Sequence, residues 1–377
     1  MTITCHHVYN YGATLQAYAL QNYLESLGHE VKIIDFNPWF HCNRYNPFWV
    51  SRKAKSRTAK LMNKIPLLKY IWQPVVAYRH SMFRTWGRKR AFDKFEEAYY
   101  HLSQTKYESI EDLRSNPPMA DIYIAGSDQI WNTYSENGSE PAYYLDFGVK
   151  TIKKISYAAS FATNDLKPAL RSFVIKQLEK FDHISTRENS GERILEGIGI
   201  VNSKVVLDPV FLLDKNKWEE LGQKGRWSGL QPNKYILVYD FLGTNNSMTL
   251  FIKSYAKEFS LPIVSINDFS PREYADININ NAGPLEFLRL IRNAACVISC
   301  SFHATAFSVI FEKEFYTFSL IGQNNSSRME DFLKLCGLIN RMNPHDKSNK
   351  TIRWEDVRLL IDKQKAKSKS FLLSAIS

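Results

Sequence analysis

The stretch AACVISCSFHATAFSVIFEKEFYTF, residues 294–318, decides the fold. Cys296 to Cys300 is a short, continuous apolar run, the pattern of a parallel strand covered on both faces. Ser301 to His303 interrupts it. Ala304 to Phe311 is long enough for two turns of apolar helix, and Phe315 to Phe318 is a second strand. Strand, helix and strand in so short a span imply a parallel pair with a right-handed crossover.

The same rhythm extends outward. Upstream lie strands at Tyr235–Tyr239 and Pro262–Ile266, with helices at Ser247–Phe259 and Pro284–Asn293; downstream a helix spans Arg328–Cys336. At the other end, Ile3–His6 ends a strand and Val8–Thr14 is a turn. Leu15, Tyr18, Leu20, Tyr23, Leu24 and Leu27 recur at helical spacing, Gly28 stops the helix, and Val31–Ile34 is the next strand. Further strand signals fall at Ile122–Ala125, Lys154–Ala158, His183–Thr186 and Val205–Leu207, with helices at Leu166–Leu178 and Ser190–Leu195. The class is α/β, with two doubly wound domains. Their expected extents are 1–225 and 230–345, joined where Gly, Ser, Pro, Gln and Asn cluster. Residues 350–377 form a closing helix and tail that crosses back onto the first domain. A length of 377 residues suits two such domains.

Composition excludes several classes. Hydrophobic residues make up 44% and charged residues 23%, an ordinary globular balance. No apolar run reaches the ~20 residues that span a bilayer, and no signal-peptide pattern opens the chain. The five cysteines form no CxxC pair and read as reduced, packed thiols. The charge is uneven. Of 49 Lys and Arg, 13 lie between Phe36 and Phe92, where there is no Asp or Glu; the remainder of the chain is near neutral. This basic, aromatic excursion, about 37–92, has three competing readings. It is a solvated helical face, an arm lying on an anionic membrane leaflet, or a nucleic-acid grip. With no nucleic-acid motif present, no nucleic-acid partner is expected.

Four polar clusters follow strands: His6–Gly12, Ala125–Asn132, Ser185–Gly191 and Ser299–Thr305. Each has a plain structural reading. Gly126-Ser127-Asp128 is a turn with a cap, Arg187 a solvated cation, and His303 a core histidine. What sets them apart is a shared position at the carboxyl edge of a parallel sheet, where such folds bind ligands. There is no G-x-G-x-x-G, no phosphate-loop lysine motif, no H-E-x-x-H and no nucleophile elbow.

In this order, the clusters resemble the polysaccharide pyruvyl transferase family. The resemblance is carried by Tyr9-Asn10-Tyr11-Gly12-Ala13 with Leu15-Gln16-Ala17-Tyr18, Gly126-Ser127-Asp128-Gln129-Ile130-Trp131-Asn132, Thr186-Arg187-Glu188-Asn189-Ser190-Gly191, Leu207-Asp208-Pro209-Val210-Phe211 and Ser301-Phe302-His303-Ala304-Thr305-Ala306-Phe307-Ser308. It implies two Rossmann-like domains facing across a cleft in a GT-B-like arrangement. It also implies transfer of the pyruvyl group of phosphoenolpyruvate, as a cyclic ketal, onto a sugar of a surface polysaccharide or its lipid-linked precursor. Arg187 would bind the donor's charge and His303 would be the acid/base.

The chain departs from the family pattern in one place. Many members carry an arginine shortly before that histidine, where this chain has Cys300-Ser301-Phe302. Arg328 is the expected substitute cation. Asp128 is the expected base toward the sugar hydroxyl, and Asn10, Tyr11, Gly12, Gly126, Ser127, Ser301 and Thr305 are expected to line the substrate pocket. Asp208 reads as a turn former before the second domain. No metal or cofactor is expected beyond phosphoenolpyruvate as co-substrate. The expected place is the cytoplasm, peripheral at the inner membrane face. The alternative is a nucleotide-sugar glycosyltransferase of the same fold, with Asp240–Asn246 as its diphosphate cradle.

Overall fold

The computed structural model describes residues 1–41, 82–226, 229–241, 243–267, 270–320, 327–344 and 351–377, with only the backbone of 82–85. The greater part of the basic excursion, 42–81, therefore lies outside the described residues, as do Asn325 and Ser326.

Two five-stranded sheets organise the chain. The first contains β1 (Thr2–Ile3), β2 (Ile33–Phe36), β3 (Leu102–Tyr107), β4 (Ile122–Ala125) and β5 (Lys153–Ser156) in the order β3-β2-β1-β4-β5. All its pairs are parallel. A short parallel pair, β6 (Ser185–Thr186) and β7 (Lys204–Val205), continues past β5 through bridges at His183 and Thr186. The second sheet contains β8 (Ile236–Tyr239), β9 (Ile263–Ile266), β10 (Ile277–Ile279), β11 (Cys296–Ser299) and β12 (Glu314–Thr317) in the order β10-β9-β8-β11-β12, again all parallel. Strands β8, β9 and β11 are buried at every residue, as their unbroken apolar runs require.

Each order reverses once, between β1 and β4 and between β8 and β11. The loops that leave the sheet there diverge to opposite faces and open a crevice. The loops after β1, β4 and β11 are Thr4–Asn10, Gly126–Asn132 and Cys300–Ser301, and the segment after β8 starts at Asp240. Topology alone thus brings three of the four polar clusters to switch points, and β6 adds Arg187 beside them.

Local signals start the helices at these points. Asn10 caps α1 (Tyr11–Ser26), its side chain accepting from Gly12 N at 2.9 Å and Ala13 N at 3.3 Å. The helix α2 (Met82–Tyr99) follows, then β3. In the second domain the helix Pro284–Asn293 opens on its proline, and Gly283 N donates to Glu286 Oε2 at 3.0 Å. Ser301 caps the helix Phe302–Ile310 by accepting from Ala304 N. The closing helix Trp354–Ile376 packs Leu372 and Ala375 against Leu20, Tyr23 and Ile124, so it returns to the first domain's core.

One apolar core crosses between the domains. Tyr11 stacks on Phe287, with centroids 4.3 Å apart and planes 8° apart, and meets Tyr239 edge-on. Its hydroxyl donates to Ala282 O at 2.8 Å. Arg88 closes this seam. Its guanidinium lies 4.2 Å over the Tyr11 ring, donates to the Tyr11 hydroxyl, and gives Nη2 to Tyr9 O at 3.1 Å. The basic run Arg88-Lys89-Arg90 is thus not uniformly a solvated face. Arg88 is 1% exposed because aromatic faces and a carbonyl replace its water.

Among the described residues no helix is long and apolar enough to cross a membrane. Cys5, Cys296, Cys300 and Cys336 are buried free thiols; Cys42 lies outside the described residues.

Candidate active site

The site is assembled from both domains around one buried carboxylate. Asp208 follows β7 and is 1% exposed. Its Oδ1 accepts from Val210 N at 3.1 Å, which makes the turn the sequence signals. Its Oδ2 accepts from Arg187 Nη1 at 2.7 Å and from Ser127 Oγ at 3.2 Å, and lies 3.3 Å from His303 Nε2. Asp208 therefore does more than form a turn: it holds the two residues expected to do the chemistry. Burial would raise its carboxyl, but the charge and hydrogen bonding of His303 and Arg187 outweigh burial and hold it well below the usual carboxylate range.

Arg187, on the loop after β6, is held over the Phe302 ring at 4.7 Å. Its other nitrogens stand 3.7 Å from Asp128 Oδ1 and 3.7 Å from Glu188 Oε2, beyond hydrogen-bond length. Burial works against its charge, and Asp208, Asp128 and Glu188 more than restore it. Glu188 is itself spent on the scaffold, Oε1 accepting from Ser160 Oγ, Phe161 N and Ala162 N.

Arg328, in the first turn of the helix Ser327–Leu335, has its guanidinium 6.0 Å from the Phe302 ring centroid. Nη1 stands 4.0 Å from Asp128 Oδ1. Hydrogen-bond geometry turns the Gln129 amide so that its oxygen accepts from Arg328 Nη1 and Nη2 at 2.9 and 3.1 Å. Burial, then the like charge of Arg187, pull Arg328 down to about 10. It remains a cation at neutral pH, held beside another cation.

Three buried guanidinium nitrogens of this group make no hydrogen bond: Arg187 Nε and Nη2, and Arg328 Nε. Buried donors left unpaired are costly. Arg187 Nη2 and Arg328 Nη1 both stand near Asp128 Oδ1, at 3.7 and 4.0 Å, and two guanidiniums so close together suit an anion. Asp128 sits between the two guanidiniums with its backbone in the left-handed region, φ 73°, pinned by Ile130 N at 2.8 Å and Ser160 N at 3.0 Å on its carbonyl.

The sequence model of the polysaccharide pyruvyl transferase family matches residues 10–320. The chain belongs to the polysaccharide pyruvyl transferase family. A polysaccharide pyruvyl transferase is a transferase, and the two Rossmann-like parallel sheets are the fold expected of this chain. Comparison with curated proteins finds no match. Among solved structures the chain is similar to UDP-N-acetylglucosamine 2-epimerase from Rickettsia bellii, at 12% identity, 99% coverage of this chain and 95% of that one, TM-score 0.47. It is also similar to the UDP-GlcNAc 2-epimerase of Methanocaldococcus jannaschii (15%, 97% and 98%, 0.46) and to the glycosyltransferase SnogD of Streptomyces nogalater (12%, 99% and 98%, 0.41).

In this polysaccharide pyruvyl transferase, the remaining expected site residues divide into two groups. Gly12 belongs at the site for lack of a side chain: a Cβ there would lie 1.8 Å from His303 Nδ1. Gly126 likewise lets the β4 loop approach Thr4, whose hydroxyl donates to Ser127 O at 2.7 Å. Asn10 and Ser301 are spent as helix caps. Tyr11 and Thr305 are placed away from the pocket. Tyr11 is 1% exposed in the interdomain seam, and the Thr305 hydroxyl is taken by Ser301 O and Thr317 Oγ1.

The loop expected to cradle a nucleotide diphosphate folds back on the protein. Arg272 Nη2 donates to Asp240 O at 2.7 Å, and its Nη1 lies 2.5 Å from where a Gly243 Cβ would be. Gly243 N donates to Asp240 Oδ1 at 3.0 Å.

Proposed function

We propose that this chain transfers the pyruvyl group of phosphoenolpyruvate to a sugar of a cell-surface polysaccharide, or of its lipid-linked precursor, as a cyclic ketal. The observation that carries this reading is the pair of buried guanidiniums, Arg187 and Arg328, which share Phe302 and Asp128 as neighbours and keep N–H groups outside hydrogen bonds, with His303 nearby. Phosphoenolpyruvate presents a phosphate and a carboxylate on a three-carbon frame, and two such cations match two such anions. Arg328 stands in for the arginine that the stretch before His303 lacks.

In this mechanism His303 delivers a proton to the methylene carbon of the donor, which becomes the ketal methyl. The neighbouring carbon gains oxocarbenium character, and a sugar hydroxyl adds to it. A second hydroxyl of the same sugar forms the second C–O bond as the C–O bond to phosphate breaks. Of the two hydroxyl protons, one replaces the proton lost by His303 and the other leaves with phosphate. Asp128, between the arginines, takes the hydroxyl proton in transit. Charge neutralisation comes from the guanidiniums, so the mechanism calls for no metal. A lipid-linked acceptor would place the enzyme peripherally at the cytoplasmic membrane face.

Phosphate release from phosphoenolpyruvate with a mixed glycan acceptor tests the reading. Acceptor-dependent release is expected. Silence there, with release of a nucleoside diphosphate from a sugar nucleotide, overturns it.

A further inference from the structure

A second polar cluster lies at the carboxyl ends of β1 and β2, facing α2, on the same sheet edge as the donor site. His7 Nδ1 is 2.7 Å from Glu96 Oε2. Tyr9 OH donates to Asp93 Oδ1 at 2.9 Å, and Lys89 Nζ donates to Asp93 Oδ2 at 2.6 Å. His6 Nε2 lies 3.5 Å from Asp35 Oδ1. Nothing in the donor chemistry uses these groups. The loop that carries them runs directly into α1, whose Gly12 backs His303.

Two atoms in the cluster are unsatisfied. Glu96 Oε1 has no hydrogen-bond partner although its side chain is 8% exposed, and His6 Nε2 has none although its ring is fully buried. A buried carboxylate oxygen without a donor is costly, and the missing group must be a donor. A sugar hydroxyl is one; a carboxylate is not. His7, bonded through Nδ1, keeps Nε2 for a further polar contact, with its side chain 30% exposed. Burial pulls the His7 imidazole down, but Glu96, Asp35 and Asp93 outweigh it and raise it. Glu96, Asp35 and Asp93 stand here with Lys89, Lys106, His6 and His7, so open hydrogen-bond positions, and not net charge, distinguish this cluster.

We propose that His6, His7, Asp35 and Glu96 form the subsite for the acceptor, and that it takes an uncharged sugar and rejects a uronic acid. The proposal rests on the pyruvyl transfer reading for the acceptor's role, but sugar binding itself does not depend on the donor.

The test is saturation-transfer NMR on the full chain without donor, using methyl glucoside, methyl galactoside, methyl mannoside and methyl glucuronide. At least one neutral glycoside is expected to bind and the glucuronide to fail. Glu96→Gln and Asp35→Asn should each weaken that binding at least about tenfold, while calorimetry shows phosphoenolpyruvate bound as in the wild type. Equal glycoside binding by wild type and both variants overturns the subsite, as does tight binding of the glucuronide or no glycoside binding by the wild type. If glycosides bind as expected but phosphoenolpyruvate does not, the donor reading fails and the subsite stands.

Discussion

Asp208 Oδ2 accepts from Arg187 Nη1 at 2.7 Å and lies 3.3 Å from His303 Nε2. A carboxylate of the first domain thus fixes a cation of its own domain and the imidazole of the other. Bringing the domains together and building the site are the same event. The Tyr11–Phe287 stack, beside Gly12, holds the arrangement from the far side of His303.

Asp208→Asn keeps the shape and removes the charge. It leaves Arg187 buried without its partner, so it should destabilise the protein by about 3–5 kcal/mol at pH 7. The folded carboxyl lies below its unfolded value of about 3.9. Its stabilisation is therefore complete above that pH and is lost as pH falls through the folded value. The melting-temperature gap between wild type and variant should narrow on acidification below about pH 4. A gap that stays constant would mean that the charge of Asp208 contributes nothing.

Arg187 and Arg328 should separate kinetically from His303. Arg328→Gln removes one charge-assisted contact, worth about 2 kcal/mol, and should raise the KM for phosphoenolpyruvate ~30-fold. Arg187→Lys keeps the charge but loses the fork that bonds Asp208 while facing the donor, so kcat falls as well. His303→Ala should abolish turnover and leave donor binding, measured by calorimetry, in place. Unchanged donor KM in Arg328→Gln would remove Arg328 from the pocket.

How far the sequence could be read depended on where each partner lies. The helix Pro284–Asn293 is legible end to end because proline starts it and its apolar face repeats at helical spacing. Strand β3 is not, because Ser103, Gln104, Thr105 and Lys106 carry no apolar run, and its position at the sheet edge requires none. Arg187, His303 and Asp128 are readable from their motifs. Asp208 reads as a turn because it is one; the partners of its second oxygen come from the loops after β4 and β6 and from the helix Phe302–Ile310, and no local pattern shows them. Arg88 is hidden in the same way, since a cation inside a basic run gives no sign that it will bury itself over Tyr11.

Gly12→Ala tests how tightly α1 backs the imidazole. Alanine suits a helix better than glycine, so the helix itself gains. The new methyl, however, claims space 1.8 Å from His303 Nδ1, and the ring must move. A displacement of this order should lower kcat about 100-fold while the donor still binds between the two arginines. Single-turnover rates and donor calorimetry on the same preparation separate the two effects; a wild-type rate would show that His303 is not the proton donor.

The basic excursion can be tested with Arg88 left in place, since its role is in the seam. Arg52, Lys53, Lys55, Arg57, Lys60 and Lys64 lie in a window without acidic residues. On an anionic leaflet each would contribute about 1 kcal/mol. Replacing the six with Gln should therefore weaken sedimentation with phosphatidylserine vesicles by several orders of magnitude and leave binding to neutral vesicles unchanged. Turnover on a short, soluble glycan should stay at the wild-type level, because the donor is held by Arg187 and Arg328 and not by bulk charge. Unchanged vesicle binding would return these residues to a solvated face. Lost turnover on the soluble glycan would instead place the segment at the acceptor itself.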